Sequence, residues 1–259
     1  MKIYLLANDW PGAQVAKHLV ECGDTIEKLY LHNANEQKYA DQIKANAKVP
    51  EDRIYSVDIL KDPEHFKEMR QDPPDFIITV FWSYLLKPDF FCLAKNTLNF
   101  HLALLPTNRG WYPHVHSILD GTPTGVTIHQ INEKADAGPV WAQKEVSLLD
   151  EDTAYDIYHR LRKEIIELFK KKWPLIKAGK IKPVAQDESK AVYHKKKEAD
   201  FLDTVDLSRL YSGSQIINLL RARSFGKKGF AFFEKNGKKT YLNLKLSKNP
   251  EFDNPDNSK

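Results

Sequence analysis

Short apolar runs alternate with helically spaced apolar residues along the first hundred positions. Residues 3–7, 26–31, 54–57 and 76–80 are nearly continuous hydrophobic runs, the pattern of strands buried on both faces. After the turn Asn8-Asp9-Trp10-Pro11-Gly12, Val15, Ala16, Leu19 and Val20 mark one face of a helix, with Pro11 near its first turn. A polar stretch over 34–50 with scattered Ala and Ile predicts a second helix ending near Pro50, and 63–70 a third. Pro73-Pro74 breaks the chain before the fourth strand. This alternation predicts an α/β fold, a Rossmann-like domain with a mostly parallel sheet. Ligands of such sheets bind beyond the carboxyl ends of the strands, where Asn8, Phe81 and Asn99 fall.

Further strands are predicted over 97–100, from Gly125 and over 140–148, with a helix over 114–120. Thr153 and Asp156 have capping-box spacing at the head of a long helix whose buried stripe is Tyr158, Leu161, Ile165 and Leu168. Pro174 is expected to kink or end it, and Gly179 to close the segment. The texture changes after about residue 182. Residues 193–200 read as a polar loop, 214–221 as a helix, and Asn236-Gly237 as a hairpin turn between two apolar runs. The expected organisation is a main domain over 1–182, then a linker and a small α+β region over 183–259, with 249–259 frayed. The aromatic strand near 230–233 suggests a packing surface for a second subunit, hence a homodimer.

Composition narrows the function. The chain has 259 residues and a net charge of +4, suited to anionic small molecules and too weak to imply nucleic acid. The two cysteines, Cys22 and Cys92, lack metal-site spacing and suit a reducing compartment. The apolar N-terminal run is too short for a signal peptide, and no stretch approaches the ~20 apolar residues of a membrane span, so a cytoplasmic location is expected. The first turn has one glycine and no G-x-G-x-x-G, which argues against a dinucleotide, and there is no P-loop. His114-x-His116 lies on a predicted helix, where i and i+2 diverge, so no metal is expected.

The chemistry concentrates in Asn99-Phe-His101-Leu-Ala-Leu-Leu-Pro106-Thr-Asn-Arg109-Gly110 and in Gly125-Val-Thr-Ile-His, which leads to Asp136-Ala-Gly-Pro. On a strand, Asn99 and His101 point to the same face. An Asn N–H can hydrogen-bond a developing oxyanion, a His can move a proton, and an Asp can fix the His tautomer. Together the three suit acyl transfer.

These two stretches resemble the folate-dependent formyltransferase family, whose pattern is Asn-x-His, Leu-Leu-Pro, Arg-Gly, then Gly-x-Thr-Ile leading to Asp-Ala-Gly. The resemblance runs from the N-terminus to about residue 180. Ala135 departs from it, standing where a larger apolar residue is usual. The resemblance implies N10-formyltetrahydrofolate as donor, a primary amine as acceptor, and Asn99, His101 and Asp136 as catalytic residues. It places the pterin between the Tyr84-Leu85-Leu86 loop and Ile131-Asn132, held by backbone groups. Asn8, Trp10, Arg109 and Tyr112 are the candidates for substrate binding, although Arg109 also suits a role fixing its own loop and the two aromatics also suit packing. The tail resembles that of sugar-nucleotide N-formyltransferases, including Arg221-Ala-Arg-Ser-Phe225. That resemblance implies a nucleotide-linked amino-deoxy sugar as acceptor, with a dTDP-linked 4-amino-4,6-dideoxyhexose for a surface polysaccharide as first choice. A methionyl-tRNA formyltransferase and a formyltetrahydrofolate hydrolase are the other readings.

Overall fold

The protein is described here by a computed structural model over residues 1–248. The chain runs β1 (Lys2–Ala7), α1 (Asp9–Glu21), β2 (Thr25–Leu31), α2 (Ala40–Ala47), β3 (Ile54–Ser56), α3 (Pro63–Gln71), β4 (Phe76–Val80), α4 (Pro88–Phe91) and β5 (Asn96–His101). It continues through β6 (Arg109–Gly110), α5 (Pro113–Asp120), β7 (Gly125–His129), β8 (Val140–Glu145) and the long α6 (Ala154–Lys177). The remainder is β9 (Tyr193–His194), α7 (Glu198–Phe201), α8 (Gly213–Ala222), β10 (Ser224–Phe225), β11 (Lys228–Gly229), β12 (Phe232–Lys235) and β13 (Lys238–Tyr241).

Seven strands form one sheet in the order β3-β2-β1-β4-β5-β7-β8. The first five are mutually parallel, whereas β7 and β8 run antiparallel to their neighbours. Alternation along β1 sorts its side chains between two cores. Ile3, Leu5 and Ala7 join the larger one with residues of α1, α5 and α6, while Tyr4 and Leu6 join Tyr30, Met69, Ile77 and Phe90 on the opposite face. Both faces are thus covered, as a parallel sheet requires.

Several expectations shift. The predicted helix over 34–50 is confined to α2, because the loop before it is tied to Asn8 and Tyr39 takes a left-handed conformation. β8 ends at Glu145 because its partner β7 begins at Gly125, which pairs with Glu145. Pro174 sits inside α6, which continues to Lys177. Trp173 and Ile176 beside it are buried, and the Trp173 indole N–H donates to Asp24 (2.7 Å), so packing holds the last turn against the missing backbone bond. The stretch expected as loop over 193–200 instead contains β9, paired in parallel with β6, and the start of α7. The Asn236-Gly237 turn joins β12 to β13 with positive φ at both residues (53° and 71°), as a type I′ hairpin needs. The expected fraying over 249–259 lies outside the described residues. Among the described residues no helix is long and apolar enough to cross a membrane.

Candidate active site

The sheet changes direction at β5. Its antiparallel register with β7 sets Asn99 opposite His129 and His101 opposite Thr127. The i, i+2 spacing puts Asn99 and His101 on one side of β5, and the loop after β7 returns Asp136 to that point. The Asp136 carboxylate lies 3.6 Å from His101 Nδ1, 3.3 Å from His129 Nε2 and 3.4 Å from Asn99 Nδ2, and it accepts the Gly110 backbone N–H at 2.9 Å. Burial alone would raise the Asp136 carboxyl. The two imidazoles and the Gly110 N–H outweigh it and hold the group well below the usual carboxylate range.

Each partner is itself oriented. Thr79 on β4 donates its hydroxyl to Asn99 Oδ1 (2.6 Å), so the Asn99 amide nitrogen faces His129 (3.0 Å) and Asp136. His129 Nδ1 lies 2.8 Å from the Gln130 carbonyl and His101 Nε2 lies 2.9 Å from the Asn108 carbonyl. A carbonyl only accepts, so those nitrogens carry the protons. His101 Nδ1 is left facing the carboxylate at ion-pair distance.

The turn carrying Asp136 has φ of 53°, unusual for a non-glycine residue, and is braced from the far side of the chain. The Gln186 amide donates to the carbonyls of Asp136 (2.8 Å) and Gly138 (2.6 Å). Its oxygen accepts from Arg109, whose guanidinium also pairs with Glu188. Gly110 fits against β9 so closely that an added Cβ would lie 2.3 Å from the His194 carbonyl oxygen.

Residues 31–171, more than half of the chain, match the family described as Formyl transferase. This chain belongs to the formyl transferase family. Residues 198–248 match the N-formyltransferase dimerization C-terminal domain. A 4-N formyltransferase from Francisella tularensis superimposes with a TM-score of 0.82 at 22% identity, over 95% of this chain and 98% of that one. A sugar N-formyltransferase from Shewanella sp FDAARGOS_354 gives 0.81 at 22% over the same shares. The formyltransferase PseJ from Anoxybacillus kamchatkensis, solved with UDP-4,6-dideoxy-4-formamido-L-AltNAc and tetrahydrofolate, gives 0.58 at 27% identity, over 86% of this chain and 98% of that one.

In this formyltransferase Asn99, His101 and Asp136 meet, as strand spacing implied for the first two and the family resemblance for the third. The other predicted residues divide. The Tyr84-Leu85-Leu86 loop follows β4 and the Ile131-Asn132 turn follows β7, so the two flank β5. Leu85 is 88% exposed, and among the described residues the backbone groups of Leu85 and Leu86 make no hydrogen bonds within the chain, as an edge awaiting a ligand would leave them. The Tyr84 hydroxyl donates to Glu36 and the Ile131 N–H to Thr97 Oγ1 (2.7 Å), so neither is a free donor. The Asn132 side chain accepts from the Lys134 N–H.

Arg109 takes the structural alternative, since its donors are engaged by Gln186 and Glu188. Asn8 is buried with its amide bound to His32, Glu36 and Lys38, so it shapes the loop after β2. Tyr112 packs against the core at the head of α5. Trp10 lines a cleft with Arg162.

Sequence reasoning missed His129, Thr79, Gln186 and Glu188. The register of β5 against β7 would have exposed His129, which lies in a stretch already singled out. Gln186 and Glu188 carry no local signal. His116, Asp120 and His194 bring potential metal-ligand atoms within 4.8 Å of one another. The two imidazoles stack face to face, however, with centroids 3.5 Å apart and planes 7° from parallel. Their in-plane lone pairs do not converge on one ion.

Proposed function

We propose that this formyltransferase moves the formyl group of N10-formyltetrahydrofolate to the primary amine of a nucleotide-linked amino-deoxy sugar. The observation that carries the reading is the convergence of Asn99, His101, His129 and Asp136 where β5 meets antiparallel β7. The folate fits between the 84–86 loop and the 131–132 turn, where apolar side chains and unpaired backbone groups suit a flat ring bearing hydrogen-bonding edges.

The folate supplies an activated formyl group, and the reaction exchanges its C–N10 bond for a C–N bond to the sugar amine. Asn99 presents amide N–H groups to the oxygen that gains charge as the amine adds. His101, held through Nε2 by the Asn108 carbonyl, donates its Nδ1–H to the same oxygen in the imidazolium form. Asp136 is ionised in the resting site, orients both imidazoles and is transiently protonated, through a bridging water, by the proton the amine loses. The proton is returned to N10 as it leaves. No covalent enzyme intermediate is needed, because an amine is itself a competent nucleophile.

The proposed acceptor is a dTDP-linked 4-amino-4,6-dideoxyhexose destined for a surface polysaccharide, used by a cytoplasmic homodimer that holds no metal. Two structural neighbours support a nucleotide-linked acceptor: WlaRD, a sugar 3N-formyl transferase solved with dTDP and 5-N-formyl-THF, and a Helicobacter canadensis N-formyltransferase solved with folinic acid and dTDP-3-aminofucose. We divide the chain functionally into a catalytic domain over 1–182 and an association region over 183–259, with the linker completing the site.

The test is a steady-state assay of tetrahydrofolate release with a panel of amino-sugar nucleotides, methionyl-tRNA and no acceptor. Release with an amino-sugar nucleotide alone is expected. Release with the tRNA alone, or with no acceptor, would replace this reading by transfer to tRNA or by hydrolysis.

A further inference from the structure

His101 is aimed by a peptide group, and that peptide group is held from the linker. The Asn108 carbonyl, 2.9 Å from His101 Nε2, belongs to the loop between β5 and β6. Asn108 has a φ of 58°, a backbone that few non-glycine residues adopt unless their surroundings impose it. Here they do, for Asn108 is 1% exposed and both polar atoms of its amide are engaged. Its Nδ2 donates to Ser117 Oγ on α5 (2.9 Å) and to Thr122 Oγ1 (2.9 Å). Its Oδ1 lies 3.0 Å from His194 Nε2. An amide oxygen only accepts, so that His194 nitrogen carries a proton.

The same peptide group is held at its other end. The Arg109 N–H, coplanar with the Asn108 carbonyl, donates to the Val192 carbonyl at 2.8 Å. The His194 carbonyl then accepts the Trp111 N–H (3.0 Å) and lies against Gly110, the residue whose N–H binds Asp136. His194 is itself fixed. Its Nδ1 lies 3.1 Å from the Glu198 carboxylate, and its ring lies flat on His116 from α5, with Asp120 alongside. Glu198 is the first residue of the stretch matching the dimerization domain. A line of contacts thus runs from that stretch through His194 and Asn108 to His101, whereas Gln186 acts on Asp136.

We propose that His194 is a positioning residue for His101. Its Nε2–H anchors the Asn108 amide and so sets the direction of the Asn108 carbonyl. That carbonyl occupies His101 Nε2 and turns Nδ1 toward Asp136 and the reacting oxygen. The assignment rests on the proposed function, in which His101 Nδ1 meets that oxygen. The χ2 torsion of an imidazole has broad minima, so the aim of the ring comes from its hydrogen-bond partners. Packing on His116 needs the His194 ring, whereas holding Asn108 needs its donor, and substitution separates the two.

The experiment compares the full chain carrying His194→Phe, which keeps a ring against His116 but has no donor, with His194→Gln, whose amide reaches as far as Nε2 but has no ring. Steady-state kcat and KM are measured with N10-formyltetrahydrofolate and an amino-sugar nucleotide, well below each variant's thermal midpoint. The side-chain nitrogen signals of His101 are read by NMR of histidine-labelled protein and assigned with His101→Asn. His194→Phe is expected to lower kcat about 10- to 100-fold, the cost of a misaimed group, with both KM values near wild type. Its His101 signals should shift from those of the wild type. His194→Gln is expected to recover most of the kcat and the wild-type His101 signals.

A role in packing alone reverses that order. Wild-type kcat in His194→Phe, or a His194→Gln no better than His194→Phe, would overturn the proposal. If His194→Phe does not fold, His194→Asn replaces it, since its shorter amide reaches toward Glu198 but not Asn108. Equal kcat in the asparagine and glutamine variants would then overturn the proposal. If the His101 signals follow the donor but no amino-sugar nucleotide is formylated, the positioning stands and the proposed function falls. If amino-sugar nucleotides are formylated while neither kcat nor the signals respond to the donor, the proposed function stands and the positioning falls.

Discussion

Asn99 and Asp136 do different work, and their substitutions separate it. Asn99→Ala removes the proposed oxyanion donor and is expected to lower kcat about 10²- to 10³-fold with little change in folate affinity, read by tetrahydrofolate release. Asp136→Asn also leaves His101 and His129 without their shared anion, so a loss at least as large is expected. Because the Asp136 carboxyl is held well below its usual range by the imidazoles and the Gly110 N–H, it remains ionised through the neutral range. Its contribution to stability is present above the unfolded-state value near 4 and disappears as pH falls through the depressed folded value.

Two histidines outside the site carry the opposite label. Burial, reinforced by neighbouring positive groups, pushes His114 down to about 3 and His116 down to about 4. Between those values and the unfolded value near 6.5 the unfolded chain binds the additional protons, so stability falls as pH drops through that window. The thermal midpoint is therefore expected to decline between pH 6.5 and 4. His114→Phe should flatten the decline, because His114 packs at a tilt against the Tyr158 ring and its Nδ1 has no partner to lose.

At the level of elements, the site depends on a short strand pair that is easily overlooked. β6 pairs with β9 from the linker, and Gln186 between the two domains bonds the carbonyls on either side of Ala137. Gln186→Ala is expected to lower kcat while leaving KM for the acceptor near wild type, since it loosens the Asp136 turn and touches neither substrate. Gln186→Glu keeps an acceptor for Arg109 but loses the amide donors, and should behave like the alanine variant. Equal effects on kcat and folding stability would mean that Gln186 only holds the domains together.

Strand, helix and cap signals were legible because they are local. The buried runs over 3–7 and 76–80, the Thr153–Asp156 box and Asn236-Gly237 each act within a few residues and the structure keeps them, whereas the run over 54–57 forms the edge strand β3, none of whose residues is buried. The proposed catalytic trio was legible because Asn99 and His101 are neighbours on one strand and Asp136 lies in a recognisable turn. His129 depended on the register between β5 and β7, and Gln186 on a contact about fifty residues away in sequence. No periodicity records such distances. Asn8 illustrates the same limit. Its position at a strand end is local, but its three partners belong to a loop beyond β2.

For the whole molecule, the C-terminal region leaves its apolar residues uncovered. Leu210 is 96% exposed, Phe201 and Leu207 are largely exposed, and Ile216, Leu219 and Leu220 on α8 are only half-buried. Together with the match to a dimerization domain, this predicts a homodimer by sedimentation or light scattering. Leu210→Asp and Ile217→Asp together should shift the protein toward monomer while leaving the sheet intact.

The linker's place beside Asp136 also bears on how the protein is made. The seven-stranded sheet is complete at Glu145 and α6 at Lys177, so a growing chain can fold its core before Gln186, Glu188 and His194 have left the ribosome. Such a nascent chain has Asn99, His101 and Asp136 but no clamp on the turn that aims the carboxylate. On the proposed function, competence arrives late in synthesis, after the main fold and just ahead of the region that matches a dimerization domain.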